Sequence, residues 1–161
     1  MSEQERPPIQ PNMERPEISV EPKNSTAGAR KMEKIRAIGY EIFIDPLLEK
    51  VRDLISSFIP ENSRIIDIGC GTGALAFQLS RDKKCSVTGV DLAHNKIERA
   101  KQKANANSSK VEFSEADATN LPEISDQQFD CATMSLFLHS LPENVRRLVL
   151  QEAMRVAKKI V

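Results

Sequence analysis

The chain has 161 residues, with 23 Lys plus Arg against 23 Asp plus Glu, so it carries one domain's worth of core and no net field to draw it to nucleic acid or an anionic membrane. Its apolar runs are short, the longest being around Leu136-Phe137-Leu138, which excludes a membrane-spanning helix, and residues 1–22 lack the apolar stretch of a secretory signal. Cys70, Cys85 and Cys131 are odd in number and far apart, without metal-ligand spacing or a disulfide framework, which points to a cytoplasmic protein and no metal.

Five of the nine prolines fall in residues 1–24 among charges, so residues 1–27 are expected to form a disordered tail that buries too little surface to offset its ordering entropy. N-terminal helices are expected over 28–59. Ser25-Thr26 offer caps for a first helix with Met32, Ile35 and Ile42 on one side and Gly39 and Tyr40 near its end. For a second, Asp45 is a natural N-cap and Pro46 suits the first helical position; Leu47, Leu48, Val51, Leu54, Ile55 and Phe58 form its apolar stripe. Pro60-Glu61-Asn62-Ser63 breaks that helix.

From residue 60 to 161 strands and helices alternate. Strand 64–68 leads to helix 73–80, and strand 85–90 to a helix near 93–106 carrying Ile97, Ala100 and Ala104. Strand 111–115 follows, then strand 129–135. The last helix starts at Pro142, ends near Lys158-Lys159, and turns Val145, Leu148, Val149, Ala153 and Val156 inward. This rhythm predicts an α/β fold, a doubly wound, mostly parallel sheet with helices on both faces and right-handed crossovers. Ligands of such sheets sit outside the carboxyl ends of the strands.

Residues 64–73, Arg-Ile-Ile-Asp-Ile-Gly-Cys-Gly-Thr-Gly, run from a β-branched strand through Gly69, Gly71 and Gly73 into a helix. A strand that turns on glycines into a helix leaves free backbone N–H groups and lets a ligand approach the main chain. Asp91, at the end of the second strand, is placed to accept from ribose hydroxyls. The pair points to a nucleoside cofactor, and two remain open. Gly69-Cys70-Gly71-Thr72-Gly73-Ala74 satisfies a loose dinucleotide fingerprint, which would make the chain an NAD-dependent oxidoreductase. The third glycine, Asp67 before the loop, and Asp117 after the third strand favour S-adenosylmethionine instead, because an acceptor at Asp117 can bond an adenine amine.

Ile65 to Gly73, Val87 to Leu92, Val111 to Pro122, Phe129 to His139 and Glu152 to Val156 resemble, in order, five motifs of the class I S-adenosylmethionine-dependent methyltransferases that act on small molecules, quinones and lipids. The resemblance covers roughly residues 35–158. It implies a Rossmann-like core and methyl transfer to a small-molecule acceptor, with no nucleic acid. It also implies the following roles. Gly69, Cys70, Gly71 and Gly73 admit the methionine and ribose parts, with Asp67 near the ammonium end. Asp91 holds the ribose hydroxyls, Leu92 packs on adenine, Asp117 and the Ala118 N–H take the adenine edge, and Ser135 lies along the methionine moiety. Tyr40 is placed to close over the cofactor, although a core position is the simpler reading. His139 is the one candidate base near the site, and Cys70 and Cys131 are read as small buried fillers.

Members of that family carry three further strands, expected to be lacking here, and the Lys-Pro-Gly-Gly turn that feeds the fifth is absent. The expected strand order is 3-2-1-4 with an uncovered fourth strand. Such an edge invites a dimer or a partner chain, which makes a non-catalytic cofactor-binding module the alternative.

Overall fold

The computed structural model describes residues 45–161, and the expectations for the tail, the first helix and Tyr40 lie outside the described residues, as do the side chains of Asp45, Pro46 and Leu47. In chain order the elements are α1 (Asp45–Ser57), β1 (Arg64–Ile68), α2 (Ala74–Asp82), β2 (Ser86–Asp91), α3 (His94–Ala106), β3 (Glu112–Glu115), β4 (Cys131–Thr133), a single 3-10 turn (Leu138–Ser140) and α4 (Glu143–Val156). The strands form one parallel sheet in the order β3-β2-β1-β4, as the alternation predicts.

The three isoleucines of β1, interrupted only by the buried Asp67, reflect burial on both faces. Ile65 packs with Val87 and Cys131 against Leu75, Ala76 and Leu79 of α2 and Ile97, Ala100 and Ala104 of α3. Ile66 and Ile68 turn the other way, toward Val149, Ala153 and Val156 of α4. Each of the three isoleucines is fully buried, contributing about 1.5–3 kcal/mol relative to exposure. The same alternation places Asp67 on the Ile65 face, beside its register partners Gly89 on β2 and Thr133 on β4.

Four expectations are corrected. The α1 stripe is split: Ile55 packs on the core, but Leu54 and Phe58 are 61% and 59% exposed. The chain tightens at the end of α1, with Phe58 N–H donating to Ile55 O and Ile59 N–H to Ser56 O, and this rotation sends Ile59 inward in place of Phe58. On α4, Leu148 is 49% exposed because the helix meets the sheet along Val149, Ala153 and Val156, spaced four and three apart. The fourth strand stops at Thr133, short of Ser135, because the chain turns away and Leu136 adopts a left-handed φ of 54°.

The fourth correction concerns the sheet edge. The last helix ends at Val156, and residues 157–161 run parallel to β4. Phe129 N–H donates to Val156 O (3.0 Å), Lys158 N–H to Phe129 O (3.1 Å), Ala132 N–H to Lys159 O (2.8 Å) and Val161 N–H to Ala132 O (2.9 Å). The outer edge of β4, expected to be open to a dimer or partner chain, is occupied by the chain's own residues.

A side-chain clasp ties the 121–126 loop to α4. Arg155 donates through Nη1 to Ile124 O (2.8 Å) and Asp126 Oδ1 (2.7 Å), and through Nη2 to Leu121 O (2.9 Å) and Glu152 Oε1 (2.7 Å). Glu152 Oε1 in turn accepts the Leu121 N–H at 2.7 Å, and the guanidinium holds the Glu152 carboxyl below its ordinary range. Arg155→Met is expected to cost about 2–3 kcal/mol, because it strands two carbonyls and a carboxylate that are partly buried. Urea unfolding checks this; a cost below about 0.5 kcal/mol would mean that water replaces the guanidinium freely.

Candidate functional site

The carboxyl ends of β1, β2 and β4 meet at the glycine loop. Gly69 and Cys70 both donate their N–H to Val90 O, at 2.8 and 3.1 Å, which bends the chain sharply off the end of β1. Gly69 sits at φ 71°, and a Cβ added there would lie 2.3 Å from Cγ of Phe137, whose ring rests on the glycine. Gly71 is different. Its φ is 57°, and a Cβ there would meet nothing within 4 Å, so its open face looks into free space. Gly73 closes the loop as the residue before α2.

One carboxylate joins this loop to the next crossover. Asp91 accepts the Gly71 N–H at Oδ2 (2.9 Å) and the Ala93 N–H at Oδ1 (2.8 Å). The start of α3 has no side-chain cap of its own, Ala93 being the N-cap, so Asp91 satisfies one of its leading amides from two residues back. Each carboxylate oxygen keeps a further lone pair for a ligand hydroxyl. Leu92, next along, is 65% exposed.

Asp67 lies beneath the loop, 2% exposed, and accepts from Thr133 Oγ1 at 2.8 Å. Burial pushes its carboxyl up from 3.8 to about 7; the Thr133 hydroxyl opposes this and the neighbouring Asp91 adds to it. Burial also pushes the Cys70 thiol up, followed by Asp67 and then Asp91, so Cys70 stays protonated and non-nucleophilic.

The other sequence-derived positions stand around this centre. Asp117 is exposed and caps its own loop, accepting from Thr119 N (2.9 Å) and Thr119 Oγ1 (2.7 Å) at Oδ1. Its segment is tied to the centre, since Ala116 N–H donates to Asp91 O at 3.2 Å, and Ala118 beside it is half-buried. Ser135 is half-buried in the turn after β4, and His139 is exposed on the 3-10 turn. Among the described residues, neither side chain is hydrogen-bonded to the Asp67–Asp91 centre.

Thr133, Phe137 and the pair His94–Glu115 (Nδ1 to Oε2, 2.7 Å) were not anticipated. Thr133 was findable: period-two alternation sets it on the Cys131 face, across from Asp67, once β1 and β4 are known to pair. His94 and Glu115 carry no local signal, because they meet only where the ends of β2 and β3 converge.

A family model described as a methyltransferase domain matches residues 65–159. The chain belongs to that family. Among relatives of this methyltransferase domain, the 27-O-demethylrifamycin SV methyltransferase of Amycolatopsis mediterranei is 31% identical over 68% of this chain and 40% of its own length. The 2-phytyl-1,4-naphtoquinone methyltransferase of Trichormus variabilis is 40% identical over 58% of this chain and 41% of its own. A solved SAM-dependent methyltransferase from Methanosarcina mazei superposes with a TM-score of 0.58 at 33% identity, over 65% of this chain and 51% of that one. This methyltransferase domain spans 28–41% of the length of the curated relatives it matches. Among the described residues, no helix is long and apolar enough to cross a membrane.

Proposed function

We propose that this domain binds S-adenosylmethionine over the carboxyl ends of β1 and β2 and directs methyl transfer to a small-molecule acceptor. The observation that carries the reading is the Gly71 cradle: an open backbone face at φ 57°, with the Asp91 carboxylate directly beneath its amide. The residues fit the ligand. Gly71 offers room for the ribose and methionine parts, and Asp91 has spare lone pairs for two hydroxyls. Asp67 is a buried carboxylate with no cationic partner among the described residues, which suits an ammonium group. Leu92 offers an exposed apolar surface for a ring.

S-adenosylmethionine bound there would supply a sulfonium methyl group, whose carbon bonds to a nucleophilic acceptor atom in line as its bond to sulfur breaks and the thioether leaves. The chain's part is orientation and exclusion of water. Gly69, Cys70, Gly71 and Gly73 admit the ligand, Asp91 fixes the ribose, and Asp67 faces the ammonium. Asp117 and the Ala118 N–H read the adenine edge, and Ser135 borders the methionine part. His139, exposed on the 3-10 turn after β4, is the candidate to take a proton from the acceptor. A small-molecule acceptor is supported by the names of the relatives, one of which acts on 27-O-demethylrifamycin SV and another on a phytyl naphthoquinone. Three free cysteines support a cytoplasmic setting. The reading places no second chain along β4, since docking there would displace the four bonds made by residues 156–161.

Calorimetric titration with S-adenosylhomocysteine, with NADH as control, tests the proposal. Micromolar binding of the former alone supports it, and binding of NADH alone overturns it. Asp91→Ala is expected to weaken S-adenosylhomocysteine by about 1.5–3 kcal/mol, roughly 10- to 150-fold, through loss of charge-assisted hydrogen bonds and of the anchor on Gly71. Unchanged affinity in a folded variant would remove Asp91 from the site.

A further inference from the structure

We propose that Asp67 and Thr133 form a proton relay beneath the glycine loop, so that Asp67 is protonated in the free protein and releases its proton to solvent when a cationic ligand head arrives. This rests on the S-adenosylmethionine reading above and adds a regulatory property to the same site. Asp67 is enclosed between β2 and β4, with Gly89 on one side and Thr133 on the other. Among the described residues, the groups facing it are few. From β4 there is the Thr133 hydroxyl, from the end of β2 the Asp91 carboxylate, and from the loop the Cys70 thiol. Lys96 of α3 bears on Cys70 but is not among the groups acting on Asp67. A negative charge at Asp67 therefore has one hydroxyl to accept from and a second carboxylate working against it.

The hydrogen-bond geometry provides for both protonation states. Thr133 Oγ1 lies 2.8 Å from Asp67 Oδ1 and 3.5 Å from Ile66 O. A threonine hydroxyl has one proton to give and two lone pairs to accept with. With Asp67 ionised, the Thr133 proton points at Oδ1. With Asp67 neutral, the carboxyl donates to Thr133 Oγ1, and the Thr133 proton turns to Ile66 O. No polar atom is orphaned in either state, and the buried side chains of the described residues show no unpartnered nitrogen or oxygen.

Arrival of an ammonium head changes the balance. The carboxyl proton leaves for solvent, the Thr133 proton swings back to Oδ1, and an ion pair between the ligand ammonium and Asp67 replaces the neutral acid. One proton is released for each protonated Asp67 that binds a ligand. The free carboxyl titrates near 7, as burial sets it. A fraction of a proton is then released per ligand at pH 7, rising toward one as pH falls, and affinity is several-fold weaker at pH 6.0 than at pH 7.5.

Titration with S-adenosylhomocysteine in buffers of different ionisation enthalpy, between pH 6.0 and 7.5, counts the released protons. The expected result is a buffer-dependent heat in the native protein that disappears in Asp67→Asn, whose affinity stays flat across this range. Thr133→Val removes the only hydroxyl donor to Asp67 among the described residues and should move the affinity midpoint to higher pH while proton release persists. Binding without a buffer-dependent heat in the native protein overturns the relay and leaves the cofactor reading intact, as does proton release that survives in Asp67→Asn. No S-adenosylhomocysteine binding at any pH overturns the cofactor reading, and the relay falls with it.

Discussion

Gly69→Ala is expected to destabilise the domain by about 3 kcal/mol, the sum of an overpacked contact and a left-handed backbone that alanine resists. The added methyl would stand 2.3 and 2.4 Å from Cγ and Cδ2 of Phe137 and 2.8 Å from its Cβ, atoms near the root of the side chain that cannot swing clear without moving the turn after β4. Gly71→Ala is the internal control. Its φ of 57° is equally left-handed, yet its methyl meets open space, so it should cost only about 1 kcal/mol. In the Gly69→Ala background, Phe137→Ala should cost less than it does alone, with a coupling of about 1–2 kcal/mol. Equilibrium urea unfolding of the four variants checks the argument. Equal costs for Gly69→Ala and Gly71→Ala would show that the ring relocates freely, and the packing account would fail.

Asp67→Asn should change the pH dependence of stability by about 2–4 kcal/mol between pH 5 and pH 8. In the folded protein burial holds the Asp67 carboxyl near 7, against 3.8 when exposed. Between those values the folded state binds more protons than the unfolded state. Stability therefore falls as pH rises from about 4 to 7, and the loss is complete above 7. Asparagine has no proton to lose, so its stability relative to the native protein should improve steadily across that range. Any constant offset, such as an amide hydrogen left without a partner, does not enter this difference. Chemical unfolding at pH 5, 6, 7 and 8 measures it, and a gap that does not vary with pH would mean that water reaches the carboxylate.

The sheet and its order were legible because parallel strands buried on both faces are rich in β-branched residues, as in Ile65-Ile66 and Val87-Thr88, and because helices with apolar stripes fill the intervals. The glycine loop and Asp91 were legible for a local reason: both sit where a strand must hand over to a helix within a few residues. Positions that depend on register were not. Thr133 becomes a neighbour of Asp67 only once β1 and β4 are aligned residue by residue. The end of β4 was misjudged because Met134-Ser135 continues the strand's alternation, while the left-handed turn at Leu136 has no glycine to announce it. Residues 157–161 escaped because Ala-Lys-Lys-Ile-Val shows no turn signal, and its pairing is dictated by the strand already present.

That last pairing bears on the order in which the domain assembles. β4 is three residues long, and Ala132 shares its N–H and carbonyl with Lys159 and Val161, nearly thirty residues later in the chain. A nascent chain emerging from the ribosome can close β1, β2 and β3 with their local crossovers before α4 exists. β4 must reach β1 across 66 residues and gains its outer partner only when the segment beyond α4 has been made and laid alongside. Contacts of such long sequence separation are slow to form, so the side of the sheet nearest the Thr133 relay is the part expected to consolidate last.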